Sequence, residues 1–251
     1  MARTRLQARE EASGGFLARH GNVYVYVPNL IGYARVATAV FAFGFALRDP
    51  AVCCLAYFAS FVCDELDGRY ARKFNQCSTL GSVLDMVTDR VATACLLAIL
   101  AARYPSAHLP FLLLIMLDIF SHWFQMYSTL AMGASTHKDT NSRSFVVSAY
   151  YRSRLFMGYC CICCEVLYLA LYLLSWPQYQ APALALPAAL THALHAAGLA
   201  VPAAIPAAGL FALLVLPGFA VKQVVNVIQL RTAAQLMVLY DRQQDGKKAG
   251  D

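Results

Sequence analysis

Apolar runs long enough to cross a hydrocarbon layer of about 30 Å recur along the chain, near Asn29–Leu47, Ala51–Leu66, Leu80–Ala102, Leu109–Met132, Leu155–Trp176 and Ile205–Leu230. They predict an all-α integral membrane protein, a bundle of six transmembrane helices. The pattern breaks most sharply between the second and third runs, in DELDGRYARKFNQCSTLGSVLDMVTDR, which carries Asp64, Asp67, Asp85 and Asp89. A second irregularity is the Ala- and Pro-rich stretch 178–208, where Pro182, Pro187, Pro202 and Pro206 disfavour a continuous span. A loose connection or a marginal extra helix is expected there. The resulting organisation is an arm over 1–22, a six-helix transmembrane domain over 23–234 and a tail over 235–251. No internal repeat is visible.

Composition agrees with the pattern. Of the 251 residues 59% are hydrophobic and only 14% charged, and the mean hydropathy of +0.52 excludes an ordinary soluble domain. The formal charge of +6 does not indicate a nucleic-acid partner, because the basic residues are dispersed as loop anchors that suit anionic lipid headgroups. Arg3, Arg5, Arg9 and Arg19 precede the first run; Arg69, Arg72 and Lys73 follow the second; Lys138, Arg143, Arg152 and Arg154 separate the fourth from the fifth; Arg242, Lys247 and Lys248 lie in the tail. The opposite side holds Arg48 and Arg103. Basic residues are retained on the cytoplasmic side, so both termini and the aspartate stretch are expected to be cytoplasmic. The first residues lack a signal-peptide core, and Glu10 and Glu11 argue against a transit segment, which leaves an interfacial or disordered arm. The nine cysteines fall mostly inside apolar runs and are odd in number, so no disulfide framework is expected.

At about 100° per residue, Asp64, Asp67, Gly68, Ala71 and Arg72 share one arc of a helix. Gly81, Asp85 and Asp89 form a stripe on the next. A connection of roughly eight residues makes the two helices antiparallel neighbours, and their stripes can meet at one membrane face. Four carboxylates in a partly dry site repel unless protons or cations are present. Divalent metal is the simplest relief, and an all-oxygen set suits Mg²⁺ or Mn²⁺. Paired ions bridged by carboxylates are a device for in-line phosphoryl displacement. Gly68 and Ala71 leave room for a diphosphate and nucleotide, and Arg72 can pair with phosphate oxygens. The plainer account has the acids solvated and paired with Arg69, Arg72, Lys73 and Arg90; four at helical spacing, with small residues on the same face, favour function.

The spacing D-x-x-D-G-x-x-A-R, eight residues, G-x-x-x-D-x-x-x-D resembles the signature of the CDP-alcohol phosphatidyltransferases, matched by Asp64, Asp67, Gly68, Ala71, Arg72, Gly81, Asp85 and Asp89. NVYVYVPNLIGYAR, LGSVLDMVTDR, LDIFSHW and YYRSR are similar to the branch of that family that uses inositol. The resemblance covers about 22–234, apart from the Ala/Pro-rich stretch. It implies the family's helical bundle, with Asp64, Asp67, Asp85 and Asp89 ligating two divalent cations, Mg²⁺ or Mn²⁺. It also implies Gly68, Arg72 and Ser78 contacting the CDP-diacylglycerol donor and Asp89 as proton acceptor. The implied reaction moves the phosphatidyl group to myo-inositol and releases CMP. A homodimer in the endoplasmic reticulum membrane is implied as well, and the end of the chain, KKAGD, is an imperfect dilysine-type signal.

Two other readings remain open. Another alcohol, such as glycerol phosphate, serine or an aminoalcohol, would use the same motif. A divalent-cation transporter would use the same acids, but its sites belong near the midplane on broken helices. Weaker signals are Asp118 and His122, for a polyol pocket or interhelical bonding; Glu165, Lys222 and Asn226 as intramembrane polar groups, with snorkelling as the alternative for Lys222; and Arg152 and Arg154 as headgroup contacts or loop anchors. Cys160, Cys161, Cys163 and Cys164 cannot share one helix face and read as packing. His192 and His195 lack acidic partners. Asn29 suits a helix cap or a bond to phosphate or metal-bound water.

Overall fold

The computed structural model describes residues 22–131, 150, 152–181, 184–185, 188–196, 198 and 204–248. The arm before Asn22, Lys138, Arg143, Pro182, Pro187, Pro202 and the last three residues of the tail lie outside the described residues, as does the first half of the YYRSR match apart from Tyr150.

The chain is mostly helical. Its helices are α1 (Val27–Phe45), α2 (Pro50–Lys73), α3 (Thr79–Arg103), α4 (His108–Ala131), α5 (Arg154–Leu174), α6 (Ala188–Ala196) and α7 (Ala207–Lys248). Among the described residues, three stretches are long and apolar enough to cross a membrane: Pro105–Ala131, Arg154–Leu174 and Ala207–Arg242. Helices α1, α2 and α3 have 19, 24 and 25 residues, which is length enough at about 1.5 Å per residue. Their mean hydropathy is held down by Arg35 on α1, the acids of α2 and Asp85, Asp89 and Arg90 on α3.

Among its described residues, the Ala/Pro-rich stretch forms the marginal extra helix that its sequence allowed, the nine-residue α6, and Leu184 and Ala185 (β1) pair antiparallel with Ile205 and Ala204 (β2). This two-residue ladder was not anticipated, because Ala-rich sequence carries no β signal. The last helix runs 42 residues, through Pro217 and on past residue 234, so the described part of the expected tail continues α7.

Two compact units divide within α3, at Leu96 and Leu97. In the first, α1 packs along α2, and α1 approaches α3 closely where Gly32 faces Leu84: a Cβ on Gly32 would lie 2.8 Å from Leu84 Cδ2. In the second, α7 packs against both α4 and α5. Leu167 and Ala170 of α5 meet Ala212 of α7, and Cys160 and Val225 join Tyr150 in a second cluster. Tyr168 stands edge-on to Phe219. All nine cysteines are free.

Candidate active site

The turn between α2 and α3 sets the site. Asn75 adopts a left-handed φ of 54°, which asparagine tolerates better than most residues. It ends α2 in a Schellman motif, with Gln76 N–H donating to the Ala71 carbonyl at 2.9 Å and Asn75 N–H to that of Arg72 at 3.4 Å. Buried Gln76 then returns to the start of α1, its Oε1 accepting from Val27 N–H at 2.9 Å. Ser78 caps α3, its Oγ accepting from Gly81 N–H at 3.0 Å. The connection is tighter than the expected eight residues, since α2 ends at Lys73 and α3 begins at Thr79.

This hairpin brings the acids together. One carboxylate oxygen each from Asp64, Asp67 and Asp85 lies within 4.8 Å of the others. Asp67 is buried. Three converging all-oxygen donors, one of them buried, fit a divalent cation. Asp89 is not in this group. Its Oδ1 accepts from Arg35 Nη2, and its Oδ2 lies 3.4 Å from Arg90 Nη2.

Arg35 is the residue that sequence reasoning missed. It is 4% exposed and sits among the acids, with Nη1 2.6 Å from Asp64 Oδ1 and 3.0 Å from Asp85 Oδ1. Its backbone is tied to α2 by Ser60, whose Oγ donates to the Arg35 carbonyl at 3.0 Å. A signal was available: a lone cation in an apolar run needs a partner. Of the cations of the plainer account, Arg90 does reach an acid of the site, Asp89. Arg69 pairs with Glu65 at 2.7 Å on the exposed face.

The expected donor contacts occupy the same hairpin. A Cβ on Gly68 would meet nothing nearer than the Arg72 guanidinium, at 3.5 Å, so the bare helix surface and an exposed cation adjoin. Gly81 is required by packing: its Cβ would lie 2.8 Å from Asn29 Oδ1. Asn29 is 1% exposed and donates through Nδ2 to the Val23 carbonyl at 2.6 Å, while its Oδ1 has no hydrogen-bond partner. It is therefore not the cap of α1; that position is Tyr26, with Pro28 in the first turn.

The weaker signals fall in the second unit. His122 Nδ1 lies 2.8 Å from the Asp118 carbonyl and 3.6 Å from its carboxylate, an arrangement within α4. Lys222 is buried, with Nζ 5.3 Å from the Tyr150 ring centroid, so it does not snorkel. Asn226 is buried and Glu165 half-buried, as interior groups are. Cys160, Cys163 and Cys164 are buried in the packing. Arg152, Arg154, His192 and His195 are exposed.

Comparison with known proteins adds to this geometry. The family described as CDP-alcohol phosphatidyltransferase matches residues 25–239. The chain is 46% identical over 230 residues to an Arabidopsis thaliana protein named probable CDP-diacylglycerol–inositol 3-phosphatidyltransferase 2, covering 90% of this chain and 96% of that one. It is 40% identical over 225 residues to the CDP-diacylglycerol–inositol 3-phosphatidyltransferase of Schizosaccharomyces pombe, covering 89% and 93%. Against the Homo sapiens protein of that name it is 36% identical over 228 residues, covering 90% and 98%. No solved structure matches the chain.

Proposed function

The chain belongs to the CDP-alcohol phosphatidyltransferases, and from that premise we propose that it is a phosphatidylinositol synthase. It moves the phosphatidyl group of CDP-diacylglycerol to a hydroxyl of myo-inositol and releases CMP. The observation that carries the reading is the convergence of Asp64, Asp67 and Asp85 beside a separately held Asp89. The relatives named for this reaction, aligned over about nine-tenths of the chain, favour inositol over other alcohols.

Asp64, Asp67 and Asp85, with Asp89 beside them, would hold divalent cations, Mg²⁺ or Mn²⁺. When bound, two such ions would supply positive charge that offsets the charge on the diphosphate and on departing CMP. Asp89 accepts the proton of the attacking hydroxyl, which is a poor nucleophile while protonated. Arg72 pairs with donor phosphate oxygens, Gly68 admits the donor to the helix surface, and Ser78 keeps an O–H to donate after capping α3. Six of the helices, α1 to α5 and α7, cross the endoplasmic reticulum membrane with the site on the cytoplasmic side, so the donor's acyl chains stay in lipid while inositol arrives from water. The protein works as a homodimer.

The test supplies membranes containing the protein with CDP-diacylglycerol, Mn²⁺ or Mg²⁺, and each candidate alcohol in turn, and measures CMP. Release that requires inositol is the expected result. Release with a different alcohol alone reassigns the acceptor, and none with any alcohol sinks the enzyme.

A further inference from the structure

We propose that Arg35 is a positioning residue, a built-in third cation that shares the four carboxylates with the divalent ions and sets Asp89 apart from them. The inference rests on the metal-dependent reading above. Three observations carry it. The guanidinium reaches Asp64, Asp85 and Asp89 at once, from a third helix. Its side chain is 5% exposed, against 28%, 48% and 35% for those acids. The cation thus backs the cluster while the carboxylates remain open on their other side to ions from solvent. The three acids that converge as ligands exclude Asp89, whose Oδ1 Arg35 holds through its other terminal nitrogen.

The fork geometry matters as much as the charge. A planar guanidinium can hold separate acceptors through two nitrogens in fixed directions, whereas an ammonium is a point charge on a flexible stem. Nη1 spans the acids of α2 and α3, and Nη2 takes the one left for proton transfer. Arg35 also sets how tightly metal is held, because a fixed positive charge a few ångströms from a divalent ion repels it. The ion-free cluster is correspondingly less repulsive than four bare carboxylates.

The test is Mn²⁺ titration of the full-length protein in detergent, read by electron paramagnetic resonance, alongside CMP release. Arg35→Met keeps much of the side chain's bulk and removes its charge, and is expected to bind Mn²⁺ about tenfold more tightly or better while turnover falls about a hundredfold. Arg35→Lys restores the charge, and its Mn²⁺ affinity returns to within about threefold of wild type, but turnover stays low because one ammonium cannot replace the fork. The charge-balanced pair Arg35→Met with Asp89→Asn has the same net charge at the site as wild type and binds Mn²⁺ within about threefold of it; it decides the matter if the single variant fails to fold. Unchanged or weaker Mn²⁺ binding in a folded Arg35→Met, or a tenfold loss in the balanced pair, overturns the third-cation role. Full turnover by Arg35→Lys overturns the positioning role. A wild-type protein that binds Mn²⁺ but makes no CMP defeats the proposed reaction without touching this inference; one that binds no Mn²⁺ defeats both.

Discussion

Arg35 crosses from α1 to carboxylates on α2 and α3, whereas Ser121 and Ser128 of α4, equally buried, bond to carbonyls of their own helix. The two units hold polar groups inside apolar helices by different means. In the first unit, the polar groups of α1 reach outward: Val27 N–H to Gln76, the Arg35 carbonyl to Ser60, the guanidinium to three acids. In the second, the seam between α5 and α7 is made by small, sulfur-bearing and aromatic residues, such as Gly218 against Cys163 and Tyr168 beside Phe219. Among its cross-chain polar ties, Arg103 bonds Ser175 and covers the Trp176 ring, Tyr104 O–H donates to the Leu171 carbonyl, and Gln223 Nε2 donates to Cys164 Sγ at 3.8 Å. Cross-helix charge fixes the position of reactive groups; packing fixes only the helices. Chemistry belongs with the former.

Substitutions that strike one unit and spare the other test that contrast. The largest effect is expected from Asp89→Asn, which removes the proton acceptor: CMP release falls about a thousandfold, while binding of CDP-diacylglycerol, measured by equilibrium titration, stays near wild type. Near-normal turnover would show that Asp89 is not the base. Chelation of divalent ions should likewise stop turnover in wild type, with Mn²⁺ or Mg²⁺ restoring it. Next comes Gly81→Leu, which drives a side chain into Asn29. Overpacking of this kind costs about 1–3 kcal/mol, and here it should lower both the thermal midpoint and Mn²⁺ affinity. Gly218→Ala sharpens the comparison from the other side, because its Cβ would collide with Cys163. A stability loss of similar size, about 1–3 kcal/mol, is expected without any change in Mn²⁺ affinity; a parallel loss of metal binding would break the distinction. The smallest effect is His122→Ala, expected to change turnover less than about threefold, since the imidazole already bonds within its own helix.

Helices and the meeting of acidic stripes were legible because both follow from local periodicity and from the short turn at Asn75. The motif residues Asp64, Asp67 and Asp85 converge as their spacing predicts. What sequence could not supply was partner choice over distance. Asp89 lies on the same stripe as Asp85, yet it pairs with Arg35 of α1 and stands outside the group that Asp64, Asp67 and Asp85 form, and no periodicity within α3 reveals that. Asn29 was readable as a cap or a ligand, and only the fold shows its amide directed to Val23 and its oxygen against Gly81. The Ala/Pro-rich stretch hid its β1–β2 ladder for a different reason: two bridged residue pairs are too few to leave a period.

The sequence distance between Arg35 and its acids has a consequence for biogenesis. On the proposed six-span topology, Asp85 and Asp89, which follow it by 50 and 54 positions, are not yet made when α1 meets the insertion machinery, and its guanidinium is a poor solute for hydrocarbon. On that topology α1 gains its counter-charges only as α2 and α3 emerge behind it, which favours entry of this half of the protein as a trio rather than one segment at a time.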